Sequence, residues 1–259
     1  MIRRDVITVG GADARGYLHS QLSNDVASLT VGASAYSFIL EPTGKLSALV
    51  RVRCSDDDCF VLDVDEGCGA STLARLNKFK IRVRCEFELS TQEVVTLRGL
   101  DAAARKSALG VPGAVAAWRP DDGAVDVFGA EVPTVGGDTD ARQYHEERVR
   151  CGWPIFGVDI DTDTIPAESS LVDVCVSFTK GCYPGQELVE RMDSRGSTAP
   201  RRLMRLPAQP ATGLPRVVAG GEYLLNGTAI GRCTSVAGDH ALVMVARAHL
   251  GDVEGPANS

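Results

Sequence analysis

The stretch that most restricts the path of this chain is Phe178-Thr179-Lys180-Gly181-Cys182-Tyr183-Pro184-Gly185-Gln186-Glu187-Leu188-Val189-Glu190-Arg191. Just before it, Leu171 to Phe178 alternates: Val172, Val174, Val176 and Phe178 point one way and Asp173, Cys175 and Ser177 the other. That period predicts a half-buried strand. Gly181 and Gly185 bracket a turn in which glycine alone adopts positive φ cheaply. Pro184 lacks a backbone donor and suits a turn or a first helical position. From Gln186 onward the residues are helix formers, with Leu188 or Val189 and Met192 at helical spacing. Cys182 is therefore expected at a strand-to-helix corner. A helix N-terminus and a lysine two residues away both favour a thiolate there. Taken alone, a cysteine in such a place reads equally well as a small buried apolar residue.

A chain of 259 residues can bury a sizeable core in one large or two ordinary domains. Its 44% hydrophobic content is that of a globular protein, and a net charge of −7 argues against general nucleic-acid or membrane-surface binding. Arg3 and Arg4 are followed by Asp5 and a short apolar run, so no leader or membrane span is expected, and the sequence reads as cytoplasmic. The eight cysteines include no Cys-x-x-Cys pair, and His19, His145, His240 and His249 are scattered, so no bound metal is expected.

In chain order, Asp13 reads as the N-cap of a helix to Leu22, ended by an Asn24-Asp25 turn. Tyr36–Leu40 and Lys45–Cys54 read as strands joined by Glu41-Pro42-Thr43-Gly44, followed by a strand over Phe60–Val64 and a helix from Ser71 to Phe79. Ile81, Val83, Cys85, Phe87 and Leu89 alternate with Arg82, Arg84, Glu86 and Glu88, which predicts another strand with its arginines in solvent. A second α+β unit is expected from a strand at Val94–Leu97, a helix at Asp101–Leu109, strands at Val115–Trp118 and Val125–Phe128 about a Pro120-Asp121-Asp122-Gly123 turn, and a helix at Asp138–Val149. Asp159 to Asp163 reads as a solvated acidic loop, because Thr164 and Ser170 stand where a calcium loop needs glycine and glutamate. Arg195 to Arg202 reads as a hinge into a small β domain, where Tyr223-Leu224-Leu225 and Thr228-Ala229-Ile230 flank the hairpin dipeptide Asn226-Gly227, with a further strand at Ala241–Val245.

The run Lys180-Gly181-Cys182-Tyr183-x-Gly185-Gln186-Glu187-x-x-x-Arg191 resembles the signature of the YgfZ-type folate-binding proteins, relatives of a mitochondrial iron–sulfur cluster assembly factor. They form a branch of the superfamily of the glycine-cleavage T-protein, a tetrahydrofolate-dependent aminomethyltransferase. The resemblance implies an α+β fold: a folate-binding, aminomethyltransferase-like core over 1–196, made of two interleaved units of roughly 1–92 and 93–196, plus a C-terminal β-barrel over 197–259. It implies that Cys182, with Lys180 as electrostatic partner, carries the function, supported by Gly181, Tyr183, Gly185, Gln186, Glu187 and Arg191. It also implies a folate cavity bordered by Asn24 and Asp25, in which either Glu168 takes the pterin contact or folate binds differently or weakly; the basic cluster that includes Arg191 and Arg202 reads equally well as a site for the anionic tail and as a solvated linker. The strand after Gly44 bears a catalytic aspartate in T-proteins, but Ser47 and Ala48 stand at those positions here, and Arg150 replaces the glutamate that holds the pterin. The expected function is that of a monomeric accessory protein in iron–sulfur protein assembly or repair, binding tetrahydrofolate and client or assembly proteins, with an indirect effect on tRNA modification and no direct contact with nucleic acid or membrane. The alternatives are a one-carbon transferase and a scaffold that has lost folate.

Overall fold

The computed structural model describes residues 1–119, 122–129, 140–194, 199–210 and 215–253; side chains 193 and 194 lie outside this set. So do Pro120 and Asp121 of the expected turn, the first residues of the helix expected from Asp138, and residues 195–198 of the expected hinge.

A seven-stranded antiparallel sheet forms from β1 (Ile2–Gly10), β2 (Ser34–Leu40), β3 (Leu46–Asp56), β4 (Cys59–Asp65), β5 (Glu86–Leu97), β6 (Ala114–Ala117) and β7 (Ala124–Phe128), in the order β2-β3-β4-β1-β5-β7-β6. Strand β5 runs through residues 92 and 93, so the two α+β units share one continuous sheet. Helices α1 (Ala14–Gln21) and α2 (Gly69–Lys78) cover one face, burying Tyr17, Leu18 and Leu76 against Ile7, Val50, Val52 and Leu62. Helix α3 (Ala102–Leu109) is capped by the Asp101 carboxylate, which accepts from Ala104 N–H, and packs with β6 and β7. Helix α4 (Ala141–Arg150) carries a full capping box of Asp140 and Gln143. The helix α5 (Val172–Cys175) and α6 (Gln186–Ser194) follow, and then a four-stranded sheet in the order β8-β11-β10-β9, from β8 (Arg201–Pro207), β9 (Glu222–Leu225), β10 (Thr228–Ala237) and β11 (His240–Ala246). Asn226 and Gly227 both have positive φ, the conformation that a two-residue hairpin of this twist requires.

The large sheet is rolled. Strands β3 and β7 are four positions apart, about 19 Å in a flat sheet, yet Arg51 Nη1 on β3 donates to Asp126 on β7 at 2.8 Å. The edges meet as well: the backbone N–H of Trp118, just past β6, donates to the Tyr36 hydroxyl on β2 at 3.2 Å. Inside the roll lie three arginines and three aspartates. Arg51 binds Asp63 and Asp126, Arg4 binds Asp63 and Asp65, and Arg98 binds Asp126. Arg51 is only 1% exposed, and its partner charges hold its pKa well above the ordinary value despite burial.

One expected strand is absent and another begins late. Over Leu171–Phe178 the alternation gives way to α5, because the loop at residues 23–24 takes the backbone groups that a strand would need. Asn24 Nδ2 donates to Val174 O, Ser23 Oγ donates to Cys175 O, and Ser177 N–H donates to Ser23 O. The strand expected from Ile81 begins only at Glu86. Arg82 has φ +57°, Ile81 is 73% exposed, and Arg84 is drawn away by Asp13, whose carboxylate receives its backbone N–H and its guanidinium. Asp13 consequently gives α1 no side-chain cap.

Candidate functional site

The loop from Ser177 to Gly185 lies between α5 and α6 and docks on two older parts of the fold. Lys180 points inward, its Nζ donating to His19 O and, at 2.6 Å, to Leu22 O, the open carbonyls at the end of α1. The ammonium is thus a C-terminal cap for that helix, where a cation also complements the helix dipole. It stands 4.9 Å from the Tyr183 ring centre. Burial lowers the Lys180 pKa to about 8, with Asp25 and Cys182 pulling the other way. Burial and Lys180 push the His19 pKa down, with Asp25 pulling the other way, and its Nδ1 accepts from Ala27 N–H at 3.2 Å.

At the other flank, Gly185 has φ +81° and lies against the β2–β3 turn. A Cβ built there would sit 2.7 Å from Glu41 O and 3.0 Å from Gly44 Cα. Gly44 has φ +83°, and a Cβ on it would strike the Leu188 side chain at 2.6 Å. Arg75 steadies this turn from α2, donating to Leu40 O and facing Glu41 at 3.1 Å while lying over the Phe79 ring. Gly181 differs from the expected pattern: its φ is not positive and a Cβ would meet nothing within 4 Å.

Between these anchors Cys182 is exposed and unpaired, four residues before α6 begins, while Tyr183 and Val189 are buried beneath it. Cys175, by contrast, is sealed in the core, and burial pushes its thiol well above the usual range. Gln186 ties the corner to the helix, its Oε1 accepting from Tyr183 N–H at 3.3 Å and its Nε2 donating to Glu190. Arg191 and Glu187 form an exposed pair at 3.7 Å.

The residues expected around folate divide into two groups. Asn24 is committed to the protein: its Nδ2 donates to Tyr36 O and Val174 O, and its Oδ1 accepts from Asp25 N–H. Glu168 is 3% exposed, accepting from Ile165 N–H and from Arg201 Nε, each at 3.0 Å. Neither fits a pterin edge without losing these partners. Arg150 pairs with Glu147 at the surface and has no acceptor to offer. Asp25 accepts from Ser28 N–H at 3.2 Å and lies 3.3 Å from His19 Nδ1, Arg191 is exposed beside Glu187, and Arg202 is half-buried on β8. On β3, Ser47 is half-buried and Ala48 buried, and Leu46 to Leu49 contains no acid.

Sequence reasoning missed Arg75 and the acceptor carbonyls of His19 and Leu22, which carry no motif. Arg148, two residues before Arg150 in the segment that resembles the superfamily, is buried at 1% exposure and joins α4 to the C-terminal sheet through Asp159 at 2.8 Å and Ser235 at 2.8 Å.

No family model matches the chain. Over 194 residues it is 28% identical to an uncharacterized protein of Haemophilus influenzae, covering 74% of this chain and 67% of that one. It is 28% identical over 225 residues to the iron–sulfur cluster assembly factor IBA57 homolog, mitochondrial, of Neurospora crassa, covering 77% of this chain and 51% of the relative. It is 26% identical over 218 residues to the tRNA-modifying protein YgfZ of Sodalis glossinidius, covering 74% and 66%. The chain thus spans between about half and two thirds of the length of these relatives. The glycine cleavage system aminomethyltransferase T of Bartonella henselae shares the fold, with a TM-score of 0.75 at 20% identity over 95% of this chain and 76% of that one. The chain thus has the fold of that aminomethyltransferase and is similar in sequence to proteins of the YgfZ and IBA57 kinds.

Proposed function

We propose that this chain is an accessory protein in the assembly or repair of iron–sulfur proteins, acting through Cys182 on client or assembly proteins and influencing tRNA modification only indirectly. The observation that carries this reading is the exposed Cys182 thiol on a loop anchored on both sides, by Lys180 to the end of α1 and by Gly185 to the β2–β3 turn. A thiol held in this way presents itself to a protein or to a cluster in transit without any ordering of the loop. The names of the relatives agree with it. Tetrahydrofolate or a derivative belongs to this reading as the ligand of the inherited scaffold, with Asp25, Arg191 and Arg202 as its contacts; when bound, it supplies a carrier for a one-carbon unit. Aminomethyl transfer is not expected, because no carboxylate stands on Leu46 to Leu49 to move the proton. The eight unpaired cysteines suit a reducing compartment, and we place the protein in the cytoplasm. Among the described residues no helix is long and apolar enough to cross a membrane.

The test is the activity of an iron–sulfur enzyme in cells that lack this protein and are supplied with wild type or Cys182→Ala. Wild type should restore activity and the variant should not, while its melting temperature stays unchanged, since the side chain is exposed and packs in no core cluster. Full restoration by the variant would remove Cys182 from the mechanism. Calorimetry with tetrahydrofolate, alongside an aminomethyl-transfer assay, should give binding without turnover; turnover would return the chain to the transferases.

A further inference from the structure

Seven consecutive residues, Lys78-Phe79-Lys80-Ile81-Arg82-Val83-Arg84, carry four cations and no acid in a chain whose net charge is −7. They run from the last residue of α2 toward β5 without forming a strand of their own. Ile81 is 73% exposed, and Arg82 keeps φ +57°, a conformation that an L side chain adopts only at a cost. Backbone strain beside an exposed apolar side chain marks a segment held for use rather than for packing.

This segment is one wall of a groove of about 410 Å³. Phe79 and Val83 line one side, and Gly16, Tyr17, Ser20 and Gln21 of α1 line the other. Gly16 keeps the groove open, since a Cβ there would meet nothing within 4 Å. Gln21 is 8% exposed; its Oε1 accepts from Arg75 Nη1 at 3.4 Å and its Nε2 donates to Ser20 Oγ at 3.2 Å. One amide N–H of Gln21 is thus left without an acceptor among the described residues. The cations are tied to the same place. Lys78 Nζ stands 5.6 Å from the centre of the Phe79 ring, and Arg84 pairs at 2.9 Å with Asp13, another residue of the lining. Lys80 faces Glu86 at 3.4 Å, whereas Lys78 and Arg82 meet no carboxylate among the described residues. All the groups that set this charge lie in the described part of the chain.

Two free cations beside one groove suit a pair of carboxylates better than the long phosphate run of a nucleic acid. Tyr17 shows only 5% of its surface, too little for a base to stack on. A membrane surface needs a broader apolar face than Ile81 provides. We infer that the groove between α1 and residues 79–83 docks an acidic segment of a partner protein. One apolar side chain of that segment enters between α1 and Phe79, a backbone carbonyl accepts from Gln21, and the neighbouring carboxylates pair with Lys78 and Arg82. The inference is independent of the role proposed for Cys182.

The probe is a fluorescein-labelled peptide with one leucine between two pairs of glutamates, followed by anisotropy with the intact protein. It should bind saturably, and peptides with glutamine for glutamate or alanine for leucine should bind more weakly by about tenfold or more. Lys78→Glu with Arg82→Glu should weaken the acidic peptide to the same degree, and so should Gly16→Phe, which fills the groove; both variants should melt as cooperatively as wild type. In methyl NMR the Ile81 signal should move on titration, and that of Ile230, 2% exposed in the C-terminal sheet, should not. Absence of binding, equal binding of the glutamine or alanine peptide, unchanged binding by a folded variant, or a still Ile81 signal overturns the inference. So does tighter binding, at the same ionic strength, of a single-stranded oligonucleotide or of phosphatidylserine vesicles.

Discussion

Gly185→Ala is the substitution whose effect the geometry states most directly. The residue sits at φ +81°, where an L side chain costs about 1–2 kcal/mol. The new methyl would meet Glu41 O at 2.7 Å, Gly44 Cα at 3.0 Å and Leu40 Cβ at 3.0 Å. Two of these atoms are backbone and cannot turn aside, so about 1–3 kcal/mol of overpacking is added. A loss of about 3 kcal/mol lowers the melting temperature by about 6–12 °C in a chain of this size. Gly181→Ala, four residues away in the same loop, has neither problem and should stay within about 0.5 kcal/mol of wild type. Thermal unfolding followed by circular dichroism compares the two. If Gly185→Ala melts within 2 °C of wild type, or if Gly181→Ala is equally damaging, the loop is not seated on the β2–β3 turn as described.

Arg148→Met should cost about 3–5 kcal/mol, because it leaves the Asp159 carboxylate buried without its cation. Arg148→Lys should restore only part of this, since one ammonium cannot reproduce the fork that reaches Asp159, Ser235 and Trp153 O; denaturant midpoints decide, and equal stability of Lys and wild type would refute the fork. Lys180 titrates near pH 8 in the folded protein against an ordinary 10.5. The unfolded chain therefore holds that proton more tightly, and the contribution of this residue to stability rises with pH between about 8 and about 10.5. The melting temperature of wild type minus that of Lys180→Met should accordingly increase across this range, and a flat difference would contradict the buried ammonium.

Where one face is buried and local rules meet no competition, the sequence was readable. The β2–β3 pair, the Asn226-Gly227 hairpin and the helix that follows Asp101 all formed where pattern and turn chemistry put them. Val172 to Phe178 failed because alternation describes side chains, whereas here the backbone groups of Val174, Cys175 and Ser177 were claimed by Ser23 and Asn24, some 150 residues earlier in the chain. Arg82 and Arg84 are exposed as the alternation implied, whereas nothing local marks Arg51, and only the rolling of the sheet brings Asp126 to it. At the site, the motif revealed the turn and the exposed thiol, while the direction of Lys180 toward α1 and the pairing of Glu168 with Arg201 depend on contacts between distant segments.

The rolled sheet also sets an order of events as the chain emerges from the ribosome. Its seam joins Tyr36 to Trp118 and Arg51 to Asp126, so side chains close it rather than a ladder of backbone pairs. Until Asp126 has been made, Arg98 has no carboxylate and Arg51 only Asp63, and the nascent interior carries an excess of positive charge. The first half of the protein is thus disfavoured from closing by itself, and the commitment to fold comes late, once β7 delivers the last anion.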